Sequence, residues 1–124
     1  MVRSYRELEV WQKGMDLVVA IYAATKKFPA DERFGLCSQL QRAAVSVPSN
    51  IAEGQSRTST KEFVHHLSIA RGSLAEIETQ IEIAVRLGYI PNPDDEQLAA
   101  EAATVGRMLS GLIRSLRRKL EAGG

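Results

Sequence analysis

Several features that often reveal a protein's function are scarce in this chain of 124 residues. Cys37 is the only cysteine, so no disulfide can form within the chain, as is usual in a reducing compartment. Lysine and arginine number 16 against 15 acidic residues, and the net charge of +1 provides no overall field that would dictate a nucleic-acid or membrane partner. The longest apolar run, MDLVVAIYAA, is too short to span a bilayer, and the start, MVRSYRELEV, has no apolar signal segment. We therefore expect a cytoplasmic protein that does not enter membranes.

The sequence also lacks the motifs of common catalytic, metal and cofactor sites. It contains no glycine-rich phosphate loop, nucleophile elbow, calcium loop or Cys/His set at zinc spacing. His65 and His66 are adjacent, so on a helix they point about 100° apart and cannot share a metal on one face. We expect no catalytic residues, no metal and no cofactor, and we assign Cys37 and Trp11 to the core.

What the sequence does contain is helical periodicity. Apolar residues recur at steps of three and four in four segments, and no run alternates as a β-strand would. The proline- and glycine-containing stretches FPADERFG, EGQSRTST and LGYIPNPDD separate the segments. The pattern predicts one all-α domain over residues 1–124, an up-down-up-down antiparallel four-helix bundle.

Helix 1, predicted from about Tyr5 to Phe28, carries two apolar stripes. One stripe is enough for a helix in a monomeric bundle, so a second predicts that the helix is covered from two sides. The first stripe comprises Leu8, Trp11, Met15, Val18, Tyr22 and Thr25, and the second comprises Val10, Gly14, Leu17, Ile21, Ala24 and Phe28.

Helix 3 is predicted to begin at a capping box formed by Ser59 and Glu62 and to end at Gly88. Its heptad seam is Phe63, Leu67, Ala70, Leu74, Ile77, Ile81 and Ala84, and its second, partly polar stripe is Ile69, Ser73, Glu76, Gln80, Ile83 and Leu87. The second stripes of helices 1 and 3 predict a homo-oligomer whose interface includes Val10, Leu17, Ile21, Ile69, Glu76 and Ile83.

Helix 2 is predicted to start near Asp31 and to carry its apolar face through Pro48, with Ser46 and Ser49 available to carbonyl groups that the proline frees. A kinked, continuous helix is the first interpretation, and two shorter helices broken near Val47 are the alternative. Helix 4 is predicted to begin near Asp94 or Asp95, with the seam Leu98, Ala102, Val105, Leu109, Leu112 and Leu116.

Polar residues of helix 2 form a stripe opposite its apolar face. This stripe is either a solvated surface or a polar seam against a neighbouring subunit or a ligand. Serine and asparagine are weak helix formers, so their presence favours close approach by another group. With Pro48, the motif comprises Arg42, Ser46, Ser49, Asn50 and Glu53.

Two basic patches are candidate phosphate contacts. Arg107, Arg114 and Arg118 align on the outer face of helix 4, where cations also favour the helix C-terminus, so a solvated face is the alternative. Arg57 and Lys61 lie near the start of helix 3, and helix N-termini attract anions. Neither patch contains aromatic residues for base stacking, so binding would be directed to the backbone and sensitive to salt.

The motifs closely resemble a known family, the four-helix bundle proteins linked to intervening sequences in bacterial 23S ribosomal RNA genes. The resemblance extends from about Tyr5 to Leu116 and rests on Leu8, Trp11 and Asp16, on RAAVSVPSNIAEG, and on ARGSLAEIETQ. The family is also similar to the accessory variability protein of diversity-generating retroelements, which partners a reverse transcriptase and binds nucleic acid. The resemblance implies a four-helix bundle that assembles as a homopentamer, and it implies no settled biochemical role.

Three functions follow as hypotheses. The first is a non-catalytic adaptor that binds nucleic acid, with RNA favoured over DNA by the resemblance. The second is an oligomeric scaffold that binds a protein partner, and the third is an enzyme whose site the sequence does not reveal. RNA binding that weakens steeply with salt would separate the first hypothesis from the second.

Overall fold

A computed structural model describes residues 4–123 of the chain. It contains four long helices, α1 (Glu9–Thr25), α2 (Leu36–Gln55), α3 (Thr60–Arg86) and α4 (Asp94–Glu121), and short 3-10 turns at Tyr5–Glu7 and Ala30–Glu32. Helix α2 packs against α1 and α3, and α4 packs against α3 and α1. Residues 4–123 include no strand, and the prediction of an all-α four-helix bundle is confirmed.

The four helices enclose one hydrophobic core. Most residues of the predicted seams of α3 and α4 are buried in this core, whereas Phe63, Leu112 and Leu116 are only partly buried and pack against it. Val64 and Ile113 are buried in place of Phe63 and Leu112. Full burial of one such side chain stabilises the fold by about 1.5–3 kcal/mol. The largest fully buried side chains are Leu17, Ile21, Leu40, Val47, Ile51, Leu67, Ile77, Val105, Leu109 and Ile113.

The core face of α1 is the stripe that the sequence assigned to a subunit interface. Val10, Leu17 and Ile21 are only 5%, 1% and 0% exposed within the single chain. Their assignment to an interface between subunits is therefore wrong, because the other helices of the same chain already cover them. The other stripe lies nearer the surface, where Met15 and Tyr22 remain 40% and 41% exposed.

The ends of α3 follow the predicted capping chemistry in part: Gly88 lies just past the helix end, whereas only one half of the capping box is present, because the Glu62 carboxylate accepts the Ser59 hydroxyl at 3.1 Å instead of the Ser59 backbone N–H. The Ser59 hydroxyl accepts the backbone N–H of Glu62 at 3.1 Å, which satisfies one of the free donors of the first turn. At the other end Gly88 has a φ of +80°, a conformation that glycine adopts without strain, and the N–H of Tyr89 reaches the Ala84 carbonyl at 2.9 Å.

The start of α2 differs from the prediction. Asp31 lies in the 3-10 turn and the helix begins at Leu36, whose N–H is accepted by the Glu32 carboxylate at 3.2 Å. Glu32 therefore performs the capping that the sequence assigned to its neighbour. Helix α4 begins at Asp94 as predicted, although Pro93 rather than an aspartate is its N-cap residue.

Helix α2 is continuous through Pro48, so the predicted continuity is confirmed over the alternative of two shorter helices, and the kink stays a prediction. The proline side chain is buried where α2 meets Gly14 of α1. A Cβ atom placed on Gly14 would lie 3.6 Å from Val47 Cγ1 and 3.7 Å from Pro48 Cβ, so the absence of a side chain lets the two helices approach here.

Candidate nucleic-acid interface

Arginines from two helices line a long surface groove, which we call the α3–α4 groove. It consists of two adjoining cavities of about 400 and 610 Å³, and Arg71, Ser110 and Arg114 line both of them. Arg71 lies on α3 and is half-buried, whereas the basic residues of α4 are exposed. The basic residues of the groove are Arg71, Arg107, Arg114, Arg117 and Arg118.

Small side chains create the groove between these arginines. Its floor includes Ala75, Ala103 and Gly106. At Gly106 the helices are so close that an added Cβ would lie 3.1 Å from Leu74 Cδ2. The lining of the groove therefore combines small side chains with long guanidinium side chains.

The positive charge of the groove is not neutralised by ion pairs within the described chain. The ion pairs among residues 4–123 are Lys27–Asp94, Arg57–Glu53, Arg57–Glu62 and Arg86–Glu82, and none of them involves a groove arginine. Arg107 donates to the Thr104 hydroxyl at 3.2 Å, which leaves its charge unpaired. Five arginines against Glu78 and Glu121 give the groove a clear excess of positive charge.

The second predicted basic patch is a different environment. Arg57 pairs with Glu53 at 2.9 Å and lies 3.9 Å from Glu62, so two carboxylates already offset its charge. The Ser59 hydroxyl occupies an N–H donor of the α3 terminus, and Lys61 is exposed beside it. The structure does not bring Arg57 or Lys61 into the α3–α4 groove.

Part of the polar stripe of α2 faces α3 rather than another molecule. The hydroxyls of Ser46 and Ser73 lie 2.9 Å apart, and the Asn50 amide donates to the Ser46 carbonyl at 2.9 Å and to its hydroxyl at 3.0 Å. Asn50 Oδ1 in turn lies 3.2 Å from Nδ1 of His66. The close approach that the serines predicted is therefore present, and the partner is a helix of the same chain.

The remaining residues of the stripe face outward. Arg42, Ser49 and Glu53 are exposed, and Glu53 is paired with Arg57. Of the predicted interface residues on α3, Ile69 and Ile83 are 41% and 44% exposed and Glu76 is exposed as well. An interface at these three residues remains a prediction.

Cys37 and Trp11, which the sequence assigned to the core, pack against other residues of the chain. Cys37 is buried with its Sγ 3.6 Å from the Thr25 carbonyl, and burial followed by the nearby Glu32 carboxylate raises the pKa of the thiol. Trp11 is only partly buried and packs edge-on against Tyr5, with ring centroids 5.3 Å apart.

In the described part of the chain no group of three or more His, Cys, Asp or Glu side chains is placed to hold a metal ion. Nor does any helix there have the length and apolar character needed to cross a bilayer.

Comparison with known proteins now identifies the family. The sequence profile of the 23S rRNA-intervening sequence protein family matches residues 6–111, which include α1 to α3 and most of α4. The chain belongs to this family. The matched span contains Arg71 and Arg107 and ends before Arg114 and Arg118, so the family match covers only part of the groove.

A solved structure supports the fold of this chain. It is the crystal structure of a protein with unknown function from the S23 ribosomal protein family of Bacteroides thetaiotaomicron VPI-5482. The two chains are 24% identical, the match covers 85% of this chain and 95% of the other, and the TM-score is 0.79. At this identity the similarity shows the fold alone. No curated protein matches the chain.

Of the groove arginines, the sequence predicted Arg107, Arg114 and Arg118 but not Arg71. Arg71 lies within the motif ARGSLAEIETQ but belongs to no basic cluster along α3. Only the packing of α3 against α4 places it beside Arg114. No local signal in the sequence could have shown this, because the two positions are far apart in the chain.

Proposed function

We propose that this protein is a non-catalytic, oligomeric adaptor that binds RNA along its phosphate backbone through the α3–α4 groove. The observation that carries the proposal is the set of five groove arginines, none of which forms an ion pair with a carboxylate among residues 4–123. An arginine guanidinium is planar and presents several donors that match phosphate oxygens. Unpaired arginines on opposite sides of one groove are therefore suited to a polyanion.

The choice of RNA is supported by the family, whose name links it to intervening sequences of 23S rRNA. The chemistry of the groove supports recognition of phosphates rather than bases. Its lining contains no aromatic side chain on which a base could stack. Binding through arginine and phosphate releases counterions, so affinity should fall steeply as salt rises.

An oligomer would strengthen such binding. Apolar side chains remain exposed on three helices, and a subunit interface would cover at least part of them. Several copies of the groove on one assembly would raise the effective affinity for a long RNA without a new kind of contact. The large apolar residues that are exposed within the helices are Met15, Val19, Tyr22, Val45, Ile69 and Ile83.

The test replaces Arg107, Arg114 and Arg118 together by glutamine and measures RNA binding over a range of salt. Each lost contact to a single strand should reduce the slope of log affinity against log salt by about 0.7, so the triple variant should lose about 2.1. A control that replaces Lys13, Lys26 and Arg33 changes the net charge equally, and these exposed residues do not line the groove. Equal binding by parent and groove variant at low salt would refute the proposal.

A protein scaffold is the second candidate, and the exposed apolar side chains favour it specifically. Val19 is 68% exposed and lies on the same side of α1 as Met15 and Tyr22, which makes an apolar strip on the surface. If the parent forms oligomers but binds no RNA even at low salt, the scaffold becomes the better account. Native mass spectrometry of the parent, together with the RNA titration, separates the two functions.

A further inference from the structure

We infer that the α3–α4 groove prefers double-stranded to single-stranded nucleic acid and binds the phosphate backbone of the duplex. This inference rests on the proposed function and specifies the form of its ligand. It follows from what the groove contains, an array of guanidinium groups, and from what its lining lacks, a surface for unpaired bases.

The first argument concerns stacking. Proteins that favour single strands place aromatic side chains against successive bases, and each stacked base raises affinity by about 5- to 150-fold. The residues lining the two cavities of the groove include no Phe, Tyr or Trp, and the whole of α4 contains none. A single strand would therefore have to be ordered on this surface without the contact that normally offsets its loss of freedom.

The second argument concerns the layout of charge. Arg107 and Arg118 are eleven positions apart on α4, which corresponds to about 16 Å along the helix axis at 1.5 Å per residue. Arg114 lies between them, and Arg71 faces it from α3. The positive charges thus follow an extended, rigid line on two helices. A rigid ligand with dense negative charge, such as a duplex, needs less ordering on binding than a flexible strand.

The third argument gives a magnitude. Counterion release yields a slope of log affinity against log salt of about −0.9 per phosphate contact for B-form DNA, which we apply to the RNA duplex, and about −0.7 for a single strand. The contacts we count are Arg71, Arg107, Arg114 and Arg118, and for four contacts the slopes are about −3.6 and −2.8. If the duplex and the single strand have equal affinity when extrapolated to 1 M salt, the difference between the two slopes predicts that the duplex binds about tenfold more tightly at about 50 mM salt.

The experiment compares one RNA oligonucleotide without self-complementarity, alone and annealed to its complementary strand. Fluorescence anisotropy of the labelled RNA is measured with the parent protein over a range of KCl concentrations. We expect the duplex to bind about tenfold more tightly at about 50 mM KCl and to show the steeper slope. Equal or tighter binding of the single strand would overturn the inference while leaving the proposed function intact.

Variants tie the preference to the groove. Arg71→Gln combined with Arg114→Gln should lower duplex affinity and reduce the duplex slope by about 1.8, whereas the control with Lys13, Lys26 and Arg33 replaced should keep the slope. Circular dichroism shows whether each variant remains folded, and Arg71→Lys, which keeps the charge, provides a milder change. A duplex preference that survives loss of both arginines would place its cause elsewhere and overturn the inference. Binding of neither RNA form by the parent would instead overturn the proposed function.

Discussion

A methyl group added at Gly54 tests a close contact between α2 and α3. Gly54 is buried near the end of α2, where that helix meets α3. A Cβ atom placed there would lie 2.7 Å from Cβ of His66, 3.0 Å from Cδ1 of Phe63 and 3.3 Å from the Phe63 carbonyl oxygen. Two of these three atoms are fixed to or part of the α3 backbone, so side-chain rotation alone cannot relieve the contact. Gly54→Ala should therefore force the helices apart.

The expected change in the free energy of unfolding of Gly54→Ala is the difference of two opposing effects. Alanine favours a helix over glycine by about 0.8–1.0 kcal/mol, and overpacking a well-packed site costs about 1–3 kcal/mol. Because the clash involves backbone-fixed atoms, we expect the cost to lie in the upper part of this range and Gly54→Ala to destabilise by about 1–2 kcal/mol. Gly72 provides a matched control inside α3, since a Cβ there meets no atom within 4 Å. Gly72→Ala should stabilise by about 0.5–1 kcal/mol.

Urea unfolding followed by circular dichroism measures both variants. All samples need the same protein concentration, because association of subunits would add to the apparent stability. The expected result is a lower midpoint for Gly54→Ala and a higher midpoint for Gly72→Ala, with unchanged slopes. If Gly54→Ala raises the midpoint as much as Gly72→Ala does, the close contact between α2 and α3 is not present and the reasoning fails.

Three further predictions test the core, the helix proline and a loop contact. Leu17→Asp should abolish the cooperative thermal transition, because it places a carboxylate at a position that is 1% exposed. A variant that stays helical but forms a smaller assembly would instead place Leu17 at a subunit interface. Pro48→Ala should not raise the free energy of unfolding by the roughly 3 kcal/mol usual for removing a proline from a helix interior, because this proline packs where α2 meets Gly14. A gain of that size in urea unfolding would contradict this packing. The Tyr89 hydroxyl donates to Glu32 at 2.9 Å, and this hydrogen bond raises the pKa of the phenol above its ordinary value of 10.0. The stabilisation from this hydrogen bond is present below pH 10.0 and is lost as pH rises through the raised pKa of Tyr89. Tyr89→Phe should therefore lower the urea midpoint at neutral pH, and the difference from the parent should shrink in alkali. A difference that stays constant with pH would show that the hydrogen bond to Glu32 is not its cause.

The sequence predicted the existence of all four helices but not which side of α1 faces inward. Both stripes of that helix satisfy steps of three and four, so periodicity could not choose between them. The choice depends on the facing helix, where Val47 and Pro48 of α2 pack against the space left by Gly14. The aliphatic character of Leu17 and Ile21 was a usable signal, because the other stripe contains residues that combine apolar and polar parts, such as Tyr22.

The candidate site was predictable only where it lies on one helix. Arg107, Arg114 and Arg118 share a face of α4, and helical spacing alone places them together. The contribution of Arg71 depends on how α3 and α4 pack, and the pairing of Arg57 with Glu53 depends on the side-chain conformations chosen at the end of α2. Such contacts arise from tertiary packing and local competition among charges, which a one-dimensional pattern does not contain.

Arginine labelling in the presence of RNA tests the central claim most directly. Phenylglyoxal modifies exposed arginines, and mass spectrometry of the digested protein gives the extent of modification at each position with and without duplex RNA. The account predicts that RNA protects Arg71, Arg107, Arg114 and Arg118, while Arg33 and Arg86, which do not line the groove, keep the same labelling. Protection confined to arginines outside the groove, or no protection at low salt, would contradict the claim that the α3–α4 groove holds RNA.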